Sequence, residues 1–93
     1  MIKSFADRET QRIYYQEKSL KFPDSIQKIA LRKLIMIDNA EKLDDLRIPP
    51  GNHLELLHGN RTGQYSIRIN DKFRICFREH LGDFYDLETV DYH

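Results

Sequence analysis

Apolar residues follow two different periods along this chain, and the change between them predicts the fold. From Ile26 the apolar positions 26, 29, 30, 34 and 37 recur at helical spacing, while Lys28, Arg32 and Lys33 fall on the outward side. That pattern predicts a helix over 25–39, opened by Pro23-Asp24-Ser25, where Asp24 or Ser25 can cap the first turn. An earlier helix is expected over 7–18, a stretch without Gly or Pro in which Ile13 and Tyr14 can share one face. Ahead of it, Ile2-Lys3-Ser4-Phe5 alternates and reads as a short opening strand, and 41–46 adds a brief helical turn.

Arg47-Ile48-Pro49-Pro50-Gly51-Asn52 should break any regular structure, because neither proline can donate a backbone hydrogen bond. Beyond it the period becomes two. Leu54-Glu55-Leu56, Tyr65 to Ile69 and Phe73 to Arg78 alternate apolar with polar, and a last strand is expected over 85–92. Helices followed by antiparallel strands make an α+β fold.

The alternation also predicts a register. If Ile69 faces Phe73 across the loop Asn70-Asp71-Lys72, Ile67 pairs with Ile75 and Tyr65 with Phe77 on the core face. Arg68 then stands opposite Arg74 on the other face, together with Cys76. Like charges directly across a sheet cost some tenths of a kcal/mol. A slip by one residue would send every apolar side chain into water, so the arginine pair is hard to avoid.

With 93 residues, 40% hydrophobic and 32% charged, the chain is expected to be a single domain over 1–93 rather than a disordered segment. No apolar run is long enough for a membrane span, and MIKSFADRET does not read as a secretory signal. Cys76 is the single cysteine, which precludes an intrachain disulfide and fits a reducing compartment, so a cytoplasmic location is expected.

The formal charge of zero hides a segregated pattern. Residues 1–36 carry a net +4, 37–57 a net −3, 58–78 a net +4 and 79–93 a net −5. The basic hairpin holds Arg61, Arg68, Lys72, Arg74 and Arg78, with His58 nearby, and the acidic strand follows it directly. In the structural reading, the last strand neutralises the arginines as ordinary surface ion pairs. In the functional reading, the outward face binds a phosphate backbone, with Arg68 and Arg74 as forked donors. Only the second gives a reason for two arginines at one cross-strand position.

The chain ends in Val90-Asp91-Tyr92-His93, which offers an acceptor, a phenolic donor and a group that titrates near neutrality. Metal-independent RNA cleavage needs a base for the ribose 2′-OH, charge stabilisation at phosphorus and an acid for the leaving 5′-oxygen. Arg68 and Arg74 suit the second task. His93, Tyr92 or Asp91 suit the proton transfers, and His58 and Glu55 on the preceding strand can reach the same surface. The four histidines, His53, His58, His80 and His93, have no metal-ligand spacing, and neither a metal nor a cofactor is expected. One cysteine without a positioned base makes no nucleophile.

Pro49-Pro50-Gly51-Asn52, Leu54-Glu55, Gly59-Asn60-Arg61, Gly63 through Asn70, Arg74-Ile75-Cys76-Phe77 and Val90-Asp91-Tyr92-His93 together resemble the HigB-type toxins of the RelE/ParE superfamily, the plasmid maintenance system killer proteins. The resemblance implies two N-terminal helices packed on a twisted antiparallel sheet. It further implies a toxin that cuts mRNA in the ribosomal A site. Its partner would be a helix-turn-helix antitoxin of HigA type, and operator DNA would be reached only through the toxin–antitoxin complex. By position, it points to Arg74 as the phosphate-contacting arginine, to Asp91 and Tyr92 as active-site residues, and to His93 as the terminal histidine. Some members carry a histidine and a lysine where this chain has Glu55 and His58. The base is then His58, His93 or Glu55. The alternative within the superfamily is a toxin that poisons DNA gyrase by binding and cuts no RNA.

Overall fold

A computed structural model describes residues 1–91. Helices α1 (Arg8–Tyr14) and α2 (Asp24–Asn39) precede the strands β1 (Glu55–Leu56), β2 (Tyr65–Arg68), β3 (Phe73–His80) and β4 (Asp83–Asp91). The strands form one antiparallel sheet in the order β1-β2-β3-β4. Ile26, Ala30, Leu34 and Ile37 of α2 share a single core with Ile67, Ile75, Phe77, Phe84 and Leu87 of the sheet. Burial of each such side chain contributes about 1.5–3 kcal/mol, which fixes the helices to one face and leaves the other for chemistry.

The hairpin has the expected register. Tyr65 pairs with Phe77, Ile67 with Ile75 and Arg68 with Arg74. Asn70 holds the connecting loop, its side-chain oxygen accepting from the backbone N–H groups of Lys72 (2.9 Å) and Phe73 (2.8 Å).

Elsewhere the chain departs from expectation for identifiable reasons. Helix α1 stops at Tyr14 rather than continuing to Lys18, because Gln16 turns left-handed at φ 62°. Glu17 N–H then bonds Arg12 O and Gln16 N–H bonds Ile13 O, which satisfies the last carbonyls in a Schellman arrangement. Helix α2 begins one residue early, with Pro23 at its N-cap and no side-chain cap from Asp24 or Ser25. Lys33 is half-buried instead of solvated, and its amine donates to Asn52 Oδ1. The helical turn expected at 41–46 is a 3-10 turn over Leu43–Arg47, and the proline segment contains a second over Pro50–Asn52.

The opening strand is replaced by two isolated parallel bridges, Ile2 to Phe84 and Phe5 to Leu87. A bulge in β4 explains the interruption. Arg78 pairs with Tyr85 but Cys76 with Glu88, so Asp86 and Leu87 together oppose Phe77. Asp86 takes up the extra residue at φ 57°, and its N–H turns to Ser4 Oγ at 2.9 Å. The bulge keeps Leu87 in the core. Residue Thr89 follows on the same side, where its N–H donates to Thr10 Oγ1 of α1 at 2.8 Å.

The β3–β4 connection is a two-residue turn with Leu81 at φ 51° and Gly82 at φ 82°. A Cβ on Gly82 would come within 2.6 Å of Glu41 O, so glycine is required there. Leu81 has no such reason to be leucine, since its side chain is exposed and the left-handed backbone strains it. Leu81→Asn is therefore expected to raise stability by about 0.5–1 kcal/mol. An unchanged or lower urea midpoint would contradict this.

Candidate functional site

On the face away from the helices, the register aligns Glu55, Ser66, Cys76 and Glu88 in one row across the four strands. The adjacent row holds Arg68, Arg74 and Val90. Each arginine is held differently.

Arg74 is the most constrained. Its Nε donates to Ser66 Oγ at 2.8 Å, and its Nη2 donates to His53 O at 2.5 Å and lies 3.5 Å from Ser66 O. The same Nη2 stands 3.9 Å from Glu55 Oε1, and the side chain is only 10% exposed. A charge so deeply placed must be met by oriented acceptors, and here two of them are backbone carbonyls. His53 offers its carbonyl because it is left-handed (φ 45°) at the end of the Pro50–Asn52 turn. Asn52 fixes that turn in turn. Fully buried, it donates from Nδ2 to Leu46 O at 3.1 Å and to Met36 Sδ at 3.1 Å, and accepts from the Lys33 amine. Lys33 and Met36 of α2, beside its buried stripe, thereby help set where the guanidinium sits. Burial, and then the neighbouring Arg32 charge, push the Lys33 amine below its usual range.

Arg68 is held at the hairpin end by Asp71. Arg61 reaches from the Gly59–Arg61 turn across the sheet to Glu88, with contacts of 3.0 and 3.4 Å to the two carboxylate oxygens. Arg78 pairs with Asp86 at 3.8 Å and packs its Nη1 against Gly63, where a Cβ would lie 3.0 Å away. Lys72 stands over the Phe73 ring and 3.9 Å from Asp91. Glu88, Asp86 and Asp91 all belong to the acidic last strand, so it does run beside the hairpin and balance it. Such half-exposed pairs are worth only about 0–1 kcal/mol, and a phosphate can replace the carboxylate in each.

The other expected site residues fall in different places. His58 is exposed and precedes the Gly59–Arg61 turn, on the edge that carries Glu55. Asp91 is the register partner of Phe73, which places it on the helix-facing side of the sheet, across from the arginine face. Tyr92 and His93 lie outside the described residues. Cys76 does alternate to the outward face, yet it is completely buried there. Burial pushes its thiol up, with Glu88 adding to the rise while Arg61 and Arg74 oppose it, so it stays protonated at neutral pH. Among the described residues no three His, Cys, Asp or Glu gather as metal ligands, and no helix is long and apolar enough to cross a membrane.

Sequence reasoning missed Ser66 and Glu88. Both stand on the outward face by simple alternation, so the period-two pattern carried the signal. What it lacked was the reach of Arg74 to one and of Arg61 to the other.

The helices, the four-stranded antiparallel sheet and its arginine-bearing face have the α+β arrangement of a RelE-like toxin. The family model for the RelE-like toxin of the type II toxin–antitoxin system HigB matches residues 3–93. Toxin HigB-1 of Vibrio cholerae serotype O1 is 40% identical over 79 residues, covering 84% of this chain and 83% of that protein. An uncharacterised protein of Haemophilus influenzae is 41% identical over 75 residues, covering 80% of this chain and 74% of that one. The chain belongs to the HigB family of RelE-like toxins of type II toxin–antitoxin systems. Membership of such a system implies an antitoxin partner.

Proposed function

We propose that this toxin is a ribosome-dependent endoribonuclease that cuts mRNA in the A site by metal-independent attack of a ribose 2′-OH on the adjacent phosphate. The observation that carries this reading is the preset guanidinium of Arg74, fixed by Ser66 and the His53 carbonyl on a face that also bears Arg61, Arg68 and Arg78. A guanidinium held before substrate arrives stabilises charge developing on phosphorus without reorganising in the reaction. Arg61, Arg68, Lys72 and Arg78 then position the backbone by exchanging their carboxylate partners for phosphate. His58 with the terminal Tyr92 and His93 supplies groups for proton transfer, while Asp91, on the helix-facing side, takes no part in it. The antitoxin is of HigA type with a helix-turn-helix, operator DNA is reached through the complex with it, and the site of action is the cytoplasmic ribosome.

The test is mapping of mRNA ends after the toxin is added to a translating extract. Breaks at codons positioned in the A site are expected, with none in the same mRNA free of ribosomes. Intact mRNA accompanied by gyrase-dependent breaks in DNA would replace the nuclease with a gyrase poison.

A further inference from the structure

We propose that Glu55 is the general base that accepts the 2′-OH proton, an assignment that rests on the nuclease reading above. A base for this step must lie beside the phosphate-binding guanidinium and keep a lone pair open toward the substrate. The row Glu55-Ser66-Cys76-Glu88 offers four heteroatom-bearing side chains next to Arg74. Three of them are engaged. Ser66 Oγ accepts from Arg74 Nε, the Cys76 thiol is buried and protonated, and Glu88 holds Arg61 with both oxygens.

Glu55 differs on each count. Its carboxylate is 54% exposed and 3.9 Å from Arg74 Nη2, close enough for attraction and too long for a hydrogen bond. Among the described residues, no donor hydrogen-bonds that carboxylate. The antiparallel pairing of Glu55 with Ser66 places it on the arginine face of the edge strand. A phosphate bound at the Arg74 guanidinium would therefore have the Glu55 carboxylate, 3.9 Å from Nη2, as its neighbouring lone-pair donor.

In the step itself the O2′–H bond breaks and its proton passes to a Glu55 oxygen. The O2′–P bond forms as the P–O5′ bond breaks. The leaving 5′-oxygen takes one proton from a general acid or from water, so that the proton given to Glu55 is balanced. The products are a 2′,3′-cyclic phosphate and a 5′-hydroxyl, and nothing is oxidised or reduced.

The experiment is single-turnover cleavage of mRNA on programmed ribosomes by wild type, Glu55→Gln and Glu55→Asp, with ribosome binding measured by co-sedimentation. Glu55→Gln keeps the size of the side chain and loses its basicity. It is expected to cut about 10²–10³-fold more slowly, with binding and melting temperature unchanged. Glu55→Asp keeps a carboxylate and should cut at least tenfold faster than Glu55→Gln, by roughly the Brønsted cost of a displaced base. A Glu55→Gln rate within about threefold of wild type overturns the assignment. So does a loss explained wholly by weaker binding, which would make Glu55 a docking residue. Intact mRNA with the wild-type toxin would instead remove the nuclease reading itself, a failure that no Glu55 variant can mimic.

Discussion

Arg74→Ala is expected to lower mRNA cleavage by about 10²–10³-fold while leaving a folded protein. The size of the loss follows from geometry. Three hydrogen-bond contacts, to Ser66 Oγ, Ser66 O and His53 O, set the guanidinium before any substrate arrives. Alanine removes both the charge and the fork, and no other arginine is held so deeply on this face. Folding should suffer less than catalysis. The substitution leaves the buried Ser66 hydroxyl without its donor and frees the His53 carbonyl, a cost of about 1–3 kcal/mol. It also relieves the like-charge contact of Arg68 with Arg74, which returns some tenths of a kcal/mol. Against a total of about 5–15 kcal/mol the chain remains native.

Arg74→Lys separates the two contributions. It keeps the charge, but a single ammonium cannot serve Ser66 and the His53 carbonyl while still presenting a flat fork to phosphate. It should remain well below wild type in cleavage and melt closer to wild type than alanine does. Cleavage within tenfold of wild type by a folded Arg74→Ala protein would sink the role given to this residue. The measurement pairs end-labelled mRNA cleavage on ribosomes with urea denaturation of the same preparations.

The register that places Arg74 could be read from the sequence because strict alternation and a three-residue loop together left one solution. Ile67, Ile69, Phe73, Ile75 and Phe77 must all face the core, and with the short loop Asn70-Asp71-Lys72 that aligns Arg68 with Arg74. The helix of apolar positions 26, 29, 30, 34 and 37 was readable for the same reason. Local patterns failed where distant groups decide the outcome. Lys33 fits a solvated helix face by spacing, yet Asn52, 19 residues later, takes its amine. The opening segment alternates like a strand, but the bulge at Asp86 on the far side of the sequence limits it to two bridges. Glu55 and Glu88 are both exposed carboxylates by sequence. Only their partners distinguish them: Glu88 is engaged with Arg61, whereas Glu55 keeps its lone pairs beside Arg74. The segment charges correctly paired the acidic strand with the basic hairpin. They could not show that Arg74 is set apart, since depth is not a property of composition.

Phe77→Ala is expected to destabilise the fold by about 3–5 kcal/mol. Phe77 is fully buried at the centre of the sheet, stacked on Tyr65 with centroids 6.3 Å apart and edge-on to Phe84 at 5.6 Å. Aromatic contacts of this kind add about 0.5–1.5 kcal/mol to the cost of lost burial. Collapse cannot refill the cavity, because Phe77 sits opposite the β4 bulge, where Asp86 and Leu87 are already committed to one partner residue. Leucine fills part of the space, so Phe77→Leu should lose roughly 1–2 kcal/mol. Leu20→Ala, at a side chain that is 90% exposed, should change the urea midpoint hardly at all. The slope of the transition should stay constant across the series, since the same surface is exposed on unfolding. Phe77 faces the helices, whereas Arg74 is held on the opposite face by Ser66 and the His53 carbonyl, so cleavage per folded molecule should survive its loss. A Phe77→Leu protein that keeps its midpoint but loses cleavage would mean that the core and the arginine face are coupled, and that Asn52 is not the only route by which packing sets the site.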